Sequence, residues 1–437
     1  MAEISSKENL KREIGVTALT LGILNIVVGT GIFTLPGIIA ENMGSAAFIA
    51  YLICGVLIFL IALCLAELGS KTTISGGVYD YIETAFGPFW GFLANNTYWF
   101  GSCVIADAAV ANGLADMLRS YFPLLANETL RIIFFVILFG GLGLLNVRSV
   151  RSSVRFVEAS AFGKLIPLIL FVVAGTAFIS GKNLAWVHAP TIANTGTASL
   201  ILFFAFMGIE TPLSNGGEIK NAKRTVPLGI FLGVSLVLLL YMAIQVVSQG
   251  ILGGAIIAHK DAPLAAAAGI VFGGAGIVLI IIASSVSMLG NLAGEILCAP
   301  RIIFAGARDG LLPKVLAKVH PRFYTPYVAV AFYASCGFLF AVFGGFKQLI
   351  ILSSAAILLI YLGVVLSTIK LRKNSSPVSE KTFRAPGGFF TPILSVVAII
   401  WLLSSLSHPE VIGISVFILV FTLIFFVAKF FKKKKIS

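Results

Sequence analysis

The chain has 437 residues, of which 58% are hydrophobic and 11% charged, with a net charge of +13. Soluble domains average about 25% charged residues, so this composition excludes a soluble globular fold and points to an all-α, polytopic membrane protein. The positive charge does not indicate nucleic acid, because the basic residues gather in alternate loops between apolar segments.

The first thirteen residues are polar and carry Lys7, Lys11 and Arg12. They lack the apolar core and small-residue cleavage site of a removable signal peptide, and read as a short cytoplasmic tail. About twelve apolar segments follow, each long enough to span a bilayer: 14–40, 44–69, 89–118, 129–146, 154–180, 197–218, 226–250, 265–302, 325–345, 347–371, 388–406 and 409–430. The longest polar connections are 71–88, 303–324 and 372–387. Of the 31 Lys and Arg residues, 25 fall on one side of this arrangement and five on the other, with Lys164 left inside a span. That asymmetry places both termini in the cytoplasm of a cell expected to carry the protein in its inner or plasma membrane. The terminal Lys432-Lys433-Lys434-Lys435 reads as a stop signal meeting anionic lipid head groups.

Two spans carry the chemistry. In the first, Gly29 and Gly31 flank Thr30, and Pro36 follows. A Gly in a helix interior costs about 1 kcal/mol and a Pro about 3, so this helix is expected to break at mid-depth. Broken backbone within a bilayer is tolerated only where protein buries it or a cavity is lined by it. The freed N–H groups at the start of the second half suit an anion, and the carbonyls closing the first half suit a cation; a helix that merely kinks for packing is the alternative. The sixth span has a similar interruption at Phe203-Phe204-Ala205-Phe206-Met207-Gly208-Ile209-Glu210-Thr211-Pro212. Two broken helices five spans apart are the sequence mark of an inverted-repeat transporter. The expected organisation is a five-helix repeat over 14–180, a second inverted one over 197–371, two extra helices over 388–430 and a basic tail over 431–437.

Other chemistries lack support. Cys54, Cys64, Cys103, Cys298 and Cys336 all lie in apolar segments and read as free thiols, and His188, His259, His320 and His408 fall in loops or at segment ends. Neither a metal site nor another cofactor is expected. With no Gly-x-Ser-x-Gly elbow, His-Glu-x-x-His helix or Walker motif, neither an enzyme nor an ATP-driven pump fits. A channel or receptor is the remaining rival, and the paired breaks argue instead for an occluded binding site.

Several motifs extend this reading. They are Gly76-Gly77-Val78-Tyr79-Asp80-Tyr81 with Phe86-Gly87-Pro88; Gly208-Ile209-Glu210 with Gly217-Glu218-Ile219-Lys220-Asn221-Ala222-Lys223-Arg224; Ala307-Arg308-Asp309-Gly310-Leu311-Leu312-Pro313; and Phe383-Arg384-Ala385-Pro386-Gly387. In this order the chain resembles the amino acid–polyamine–organocation superfamily of transporters, with Ala222 where the family usually has proline. Around Tyr98-Trp99 it is most similar to the bacterial arginine–agmatine antiporter branch. The resemblance implies alternating-access transport of an amino acid or related amine, sodium-independent, by proton coupling or exchange. An amine–amino acid antiporter is the second form of that function.

The resemblance also assigns roles. Main-chain N–H groups of Thr30, Gly31 and Ile32 would hold the substrate carboxylate, aided by the Thr30 hydroxyl. Carbonyls of Val27, Phe204 and Met207 would hold the ammonium. Tyr98, Ser102, Phe204, Phe206 and Ile209 would line the side-chain pocket. Lys164, in a context like the family's fifth-span lysine, would replace sodium between the first and eighth spans, with a lysine snorkelling to the interface as the alternative. The arginine–agmatine branch lacks this lysine, so two branches mix here. Glu210 is expected in gating or proton coupling. Glu295 falls where that branch has a pocket tryptophan, with Asn291 one turn away on the same face. Asp107 follows Ala106, itself at an antiporter pocket position. Glu67, Asp116, Glu158 and Glu218 lie near span ends, where interfacial water is expected to make their charges ordinary. Three carboxylates at depth (Asp107, Glu210, Glu295) against one cation (Lys164) favour cationic amino acids or their amines over small neutral ones.

Overall fold

The computed structural model describes residues 14–71, 78–148, 150–186, 189–211, 213, 219–308, 310, 312–374 and 383–434. The N-terminal tail, Gly76-Gly77, Pro212, Gly217-Glu218, Asp309, Leu311 and the last residues of the basic tail lie outside the described residues, as does the side chain of Glu158.

The first span is two helices, α1 (Val16–Val27) and α2 (Gly31–Met43), separated by the bend Val28–Thr30. The interruption falls at the Gly-Thr-Gly stretch, and Pro36 is accommodated inside α2. Next come α3 (Ala47–Lys71), α4 (Val78–Phe86) and α5 (Pro88–Asn96). The third span continues from α5 through a π-helical stretch, Thr97–Val104, into α6 (Ile105–Arg119). Then follow α7 (Glu128–Arg148), α8 (Val150–Gly175) and the single turn α9 (Gly181–Leu184). Helix α10 (Ile192–Phe203) is capped by the Thr191 side chain, which accepts the Asn194 N–H at 3.2 Å, and tightens into a 3₁₀ turn at Phe204–Phe206. The chain then leaves helical geometry at Met207, and Gly208 takes φ +99°. The remaining helices are α11 (Ala222–Leu252), α12 (Pro263–Phe272), α13 (Gly274–Arg308), α14 (Tyr327–Phe343), α15 (Phe346–Asn374), α16 (Phe390–Leu403) and α17 (His408–Lys434).

Among the described residues, eight helical stretches are long and apolar enough to cross a membrane, and five apolar helices are shorter. The shorter ones include α1 and α10, the halves cut off by the two interruptions. Two boundaries differ from the sequence reading. The segment 265–302 is not one helix: α12 starts at Pro263 and ends at Gly273, whose φ of +65° reverses the chain before α13. The connection 71–88 is not merely polar loop, because Val78, Tyr81, Ile82 and Ala85 share one buried face of α4.

Helix α11 packs along both α1 and α3, α13 along α8, and α15 along α6 and the π-helical stretch. The third span, Pro88–Arg119, is largely buried, whereas α17 presents Val416, Leu419, Leu423 and Phe426 outward. That gradient puts the third span at the centre and α17 at the lipid-facing edge. The chain just ahead of α1 is clipped to the segment past the second interruption by a parallel bridge between Ile14 and Ile219, with the Lys220 N–H donating to the Ile14 carbonyl at 2.9 Å.

Glu67 departs from expectation. It is fully buried rather than wetted at a span end, and it pairs with Arg372 of α15. The Arg372 Nε–H donates to Glu67 Oε1 at 2.9 Å, the Ala385 N–H donates to Glu67 Oε2 at 2.9 Å, and Arg372 also reaches the Gly388 carbonyl. Removing one member of a buried pair leaves an uncompensated charge, at a cost of about 3–5 kcal/mol. Glu67→Ala and Arg372→Ala are each expected to lower the unfolding temperature in detergent by several degrees, and Glu67→Leu with Arg372→Met to recover part of the loss. Single variants as stable as the parent protein would refute this.

Candidate functional site

The two interruptions meet. A Cβ built on Gly31 would lie 2.8 Å from the Ala205 Cβ and 2.9 Å from its Cα, so only glycine lets the head of α2 approach the 3₁₀ turn this closely. Tyr241 of α11 stands beside both. Its hydroxyl lies 2.7 Å from the Val27 carbonyl and 3.0 Å from the Ala205 carbonyl, and its ring packs on Phe206 with centroids 5.3 Å apart. One hydroxyl thus serves the carbonyls of both broken segments. Val27 also accepts the Gly29 N–H at 2.7 Å. The Phe33 N–H donates to the Thr30 carbonyl at 3.0 Å, while those of Gly31 and Ile32 have no acceptor within their own helix, and Thr30 provides no side-chain cap. The buried Thr30 hydroxyl has no partner.

A cavity opens between these segments, the third span and α13. Of the residues singled out in the sequence, Val27, Thr30, Gly31, Tyr98, Ser102, Asp107, Phe204, Met207, Glu210, Asn291 and Glu295 line it. Ile32, Phe206 and Ile209 are buried in the packing around it instead. The third span reaches the cavity through its π-helical stretch, which turns Tyr98, Ser102 and Cys103 toward the same space. Such π-helical insertions are frequent at functional sites. The Ser353 hydroxyl of α15 donates to the Ser102 carbonyl at 3.1 Å.

The three carboxylates have different partners. Glu210 accepts a hydrogen bond from the Tyr361 hydroxyl of α15, and beside it Tyr98 and Thr211 pair through their hydroxyls at 3.3 Å. Asp107 Oδ2 accepts the Tyr333 hydroxyl at 2.9 Å, while Oδ1 has no partner. Glu295 lines both this cavity and a second one, which runs along α8 and α13 past Cys298 to Ile302. Lys164 lines the second cavity. It is 4% exposed, so it does not snorkel to an interface, and its ammonium donates to the Asn25 carbonyl of α1. That contact lies two residues before the first helix ends.

The opposite end of the cavity is covered. The segment before α12 packs on α2, where a Cβ on Gly37 would fall 2.6 Å from the Lys260 Cα. Lys260 pairs with Glu41 at 3.1 Å and Asp261 with Arg119 at 3.5 Å. Beneath them Arg131 joins Asp116 and the Asn112 side chain, each at 2.6 Å.

The family model described as amino acid permease matches residues 14–437. The chain belongs to the amino acid permease family. The permease is 29% identical over 407 residues to the serine/threonine exchanger SteT of Bacillus subtilis (strain 168), covering 91% of each chain. It is 26% identical to the branched-chain amino acid permease BcaP of the same organism, over 98% of this chain and 95% of that one. It is 29% identical to the methylthioribose transporter of that organism, over 97% and 94%. The family and these relatives are transporters rather than enzymes, and the apolar helices make this a multi-pass membrane protein.

Tyr241, Tyr333 and Tyr361 escaped the sequence reading. Each sits in an apolar run where a tyrosine reads as packing, and only the fold brings its hydroxyl to a cavity group. Tyr241→Phe leaves two carbonyls short of a shared donor, at about 1–3 kcal/mol. It is expected to lower both the unfolding temperature and the uptake rate, and an unchanged unfolding temperature would refute the bridging role. Gly31→Val is expected to abolish uptake by a folded, inserted protein, with Gly31→Ala intermediate; parental uptake by a folded Gly31→Val protein would refute the close contact.

Proposed function

We propose that the permease binds its amino acid substrate between the two interruptions and moves it by alternating access. The observation carrying this is the cavity bordered by the unpaired head of α2 on one side and the chain end of the 3₁₀ turn on the other. Helix N–H groups and the partial positive charge of a helix N-terminus suit a carboxylate, so Thr30, Gly31 and Ile32 hold that group through their main chain, with the Thr30 hydroxyl as a further donor. Carbonyls of Phe204 and Met207 receive the ammonium, the Val27 carbonyl being already taken by the Tyr241 hydroxyl and the Gly29 N–H, while Tyr98, Ser102 and Asn291 border the side chain. Phe206 and Ile209 act from behind, by fixing the wall. The organisation is two inverted five-helix repeats, 14–180 and 197–371, followed by 388–430. Both termini are cytoplasmic, in the inner or plasma membrane. The covered Lys260 end and the second cavity leading past Ile302 support a state closed on the outside.

Lys164 supports sodium independence. Its ammonium occupies a position on the Asn25 carbonyl, next to the first interruption, where a coupling sodium would need oxygen ligands. Transport is then driven by protons or by exchange, and Glu210, linking the second interruption to α15 through Tyr361, is the gating acid. Relatives named as a serine/threonine exchanger and a branched-chain permease support amino acids as the cargo class. An amine–amino acid antiporter is a second form of the same reading, favoured by the cavity's carboxylates.

Proteoliposome uptake tests this. Replacing sodium by choline is expected to leave amino acid uptake unchanged, and Lys164→Ala to abolish it or flatten its pH dependence. Trans-loaded amino acid should accelerate uptake, which a channel does not do. Strict sodium dependence, or a Lys164→Ala protein with parental behaviour, would overturn the assignment.

A further inference from the structure

We infer that Asp107 and Glu295 form an acidic subsite for a second positive charge on the substrate, so that the cargo is a basic amino acid or its decarboxylated amine. The inference rests on the amino acid transport reading above and specifies the cargo.

The argument is one of unfilled valences. Glu210 is satisfied from within the protein by Tyr361. Asp107 is 1% exposed, and its Oδ1 has no donor in the protein although the residue lines the cavity. A buried carboxylate oxygen without a partner is costly, and the cavity that Asp107 lines is where a ligand can supply a donor. Glu295 of α13 lines the same cavity. Among the described residues, no Lys, Arg or His lines this cavity, and the neighbouring Lys164 ammonium is directed to the Asn25 carbonyl.

A zwitterion bound at the interruptions brings no net charge and leaves both acids as they were. A side chain ending in an ammonium or guanidinium supplies several donors and a positive charge. The head-group position at Thr30 and Gly31 and the two acids border one cavity, and Glu295 also borders the adjoining one. Ala106, small and on the wall of the first, does not obstruct it.

The test is counterflow in proteoliposomes of the full chain with labelled lysine, ornithine, arginine, putrescine, serine and leucine. At least one basic substrate is expected to be carried. The ratio of its transport efficiency to that of serine should fall tenfold or more in Glu295→Gln and in Asp107→Asn, each first checked for parental thermal unfolding in detergent. If a variant does not fold, the other and the parental profile decide. Parental protein that carries serine or leucine but no basic substrate overturns the inference while leaving amino acid transport standing, and so does an unchanged ratio in both folded variants. Parental protein that carries no amino acid overturns the transport reading itself.

Discussion

The structure depends on one constraint, the need to satisfy main-chain polar groups where helices are broken inside an apolar bundle. Hydrocarbon offers no partner, and each unmet group costs free energy that packing cannot return. The chain answers with long-range side chains. Tyr241 reaches from α11 to carbonyls on both broken segments, and Lys164 reaches from α8 to the last turn of α1. Gly31 and Ala205 let the two segments touch, so that one hydroxyl can serve both. Among the buried polar groups left without a partner, the Thr30 hydroxyl and one oxygen of Asp107 belong to residues that line the cavity between the two interruptions.

The two ends of the cavity are built differently. At one end, charged pairs between Lys260 and Glu41 and between Arg119 and Asp261 are half exposed. Such pairs contribute little each, which suits contacts that must break in every cycle. At the other end Glu67 and Arg372 are buried and satisfied by the chain around Ala385 and Gly388. That pair ties α3 to α15 and to the approach to α16, and its desolvated geometry makes it a poor hinge and a firm anchor.

Much of the architecture was legible in the sequence because membrane-scale hydropathy and helix-breaking residues are local signals. Gly29-Thr30-Gly31 marked the first interruption, and Met207-Gly208 the second, at the positions where the backbone leaves helical geometry. The division of 265–302 was less legible, because an apolar run hides a chain reversal unless a glycine is known to take positive φ. The π-helical stretch at Thr97–Val104 left no signal, since its residues are ordinary for a helix. Pairings between distant residues could not be read at all. Glu67 lies 305 residues from Arg372 and Lys164 lies 139 from Asn25, and nothing local distinguishes a carboxylate bound for burial from one bound for water.

The acids at depth show the same limit most sharply. In the sequence, Asp107, Glu210 and Glu295 are equivalent: a carboxylate inside an apolar span, expensive and therefore functional by default. The fold separates them by their partners. Glu210 is bound by a tyrosine at the second interruption and so couples that segment to α15. Asp107 is half bound by Tyr333 and keeps one buried oxygen without a partner. Glu295 stands between two cavities and answers to whatever occupies either. Tyrosines that look like packing residues thus decide which carboxylate is structural and which is available. The proposed specificity of this permease rests on where those hydroxyls are spent, as much as on where the charges lie.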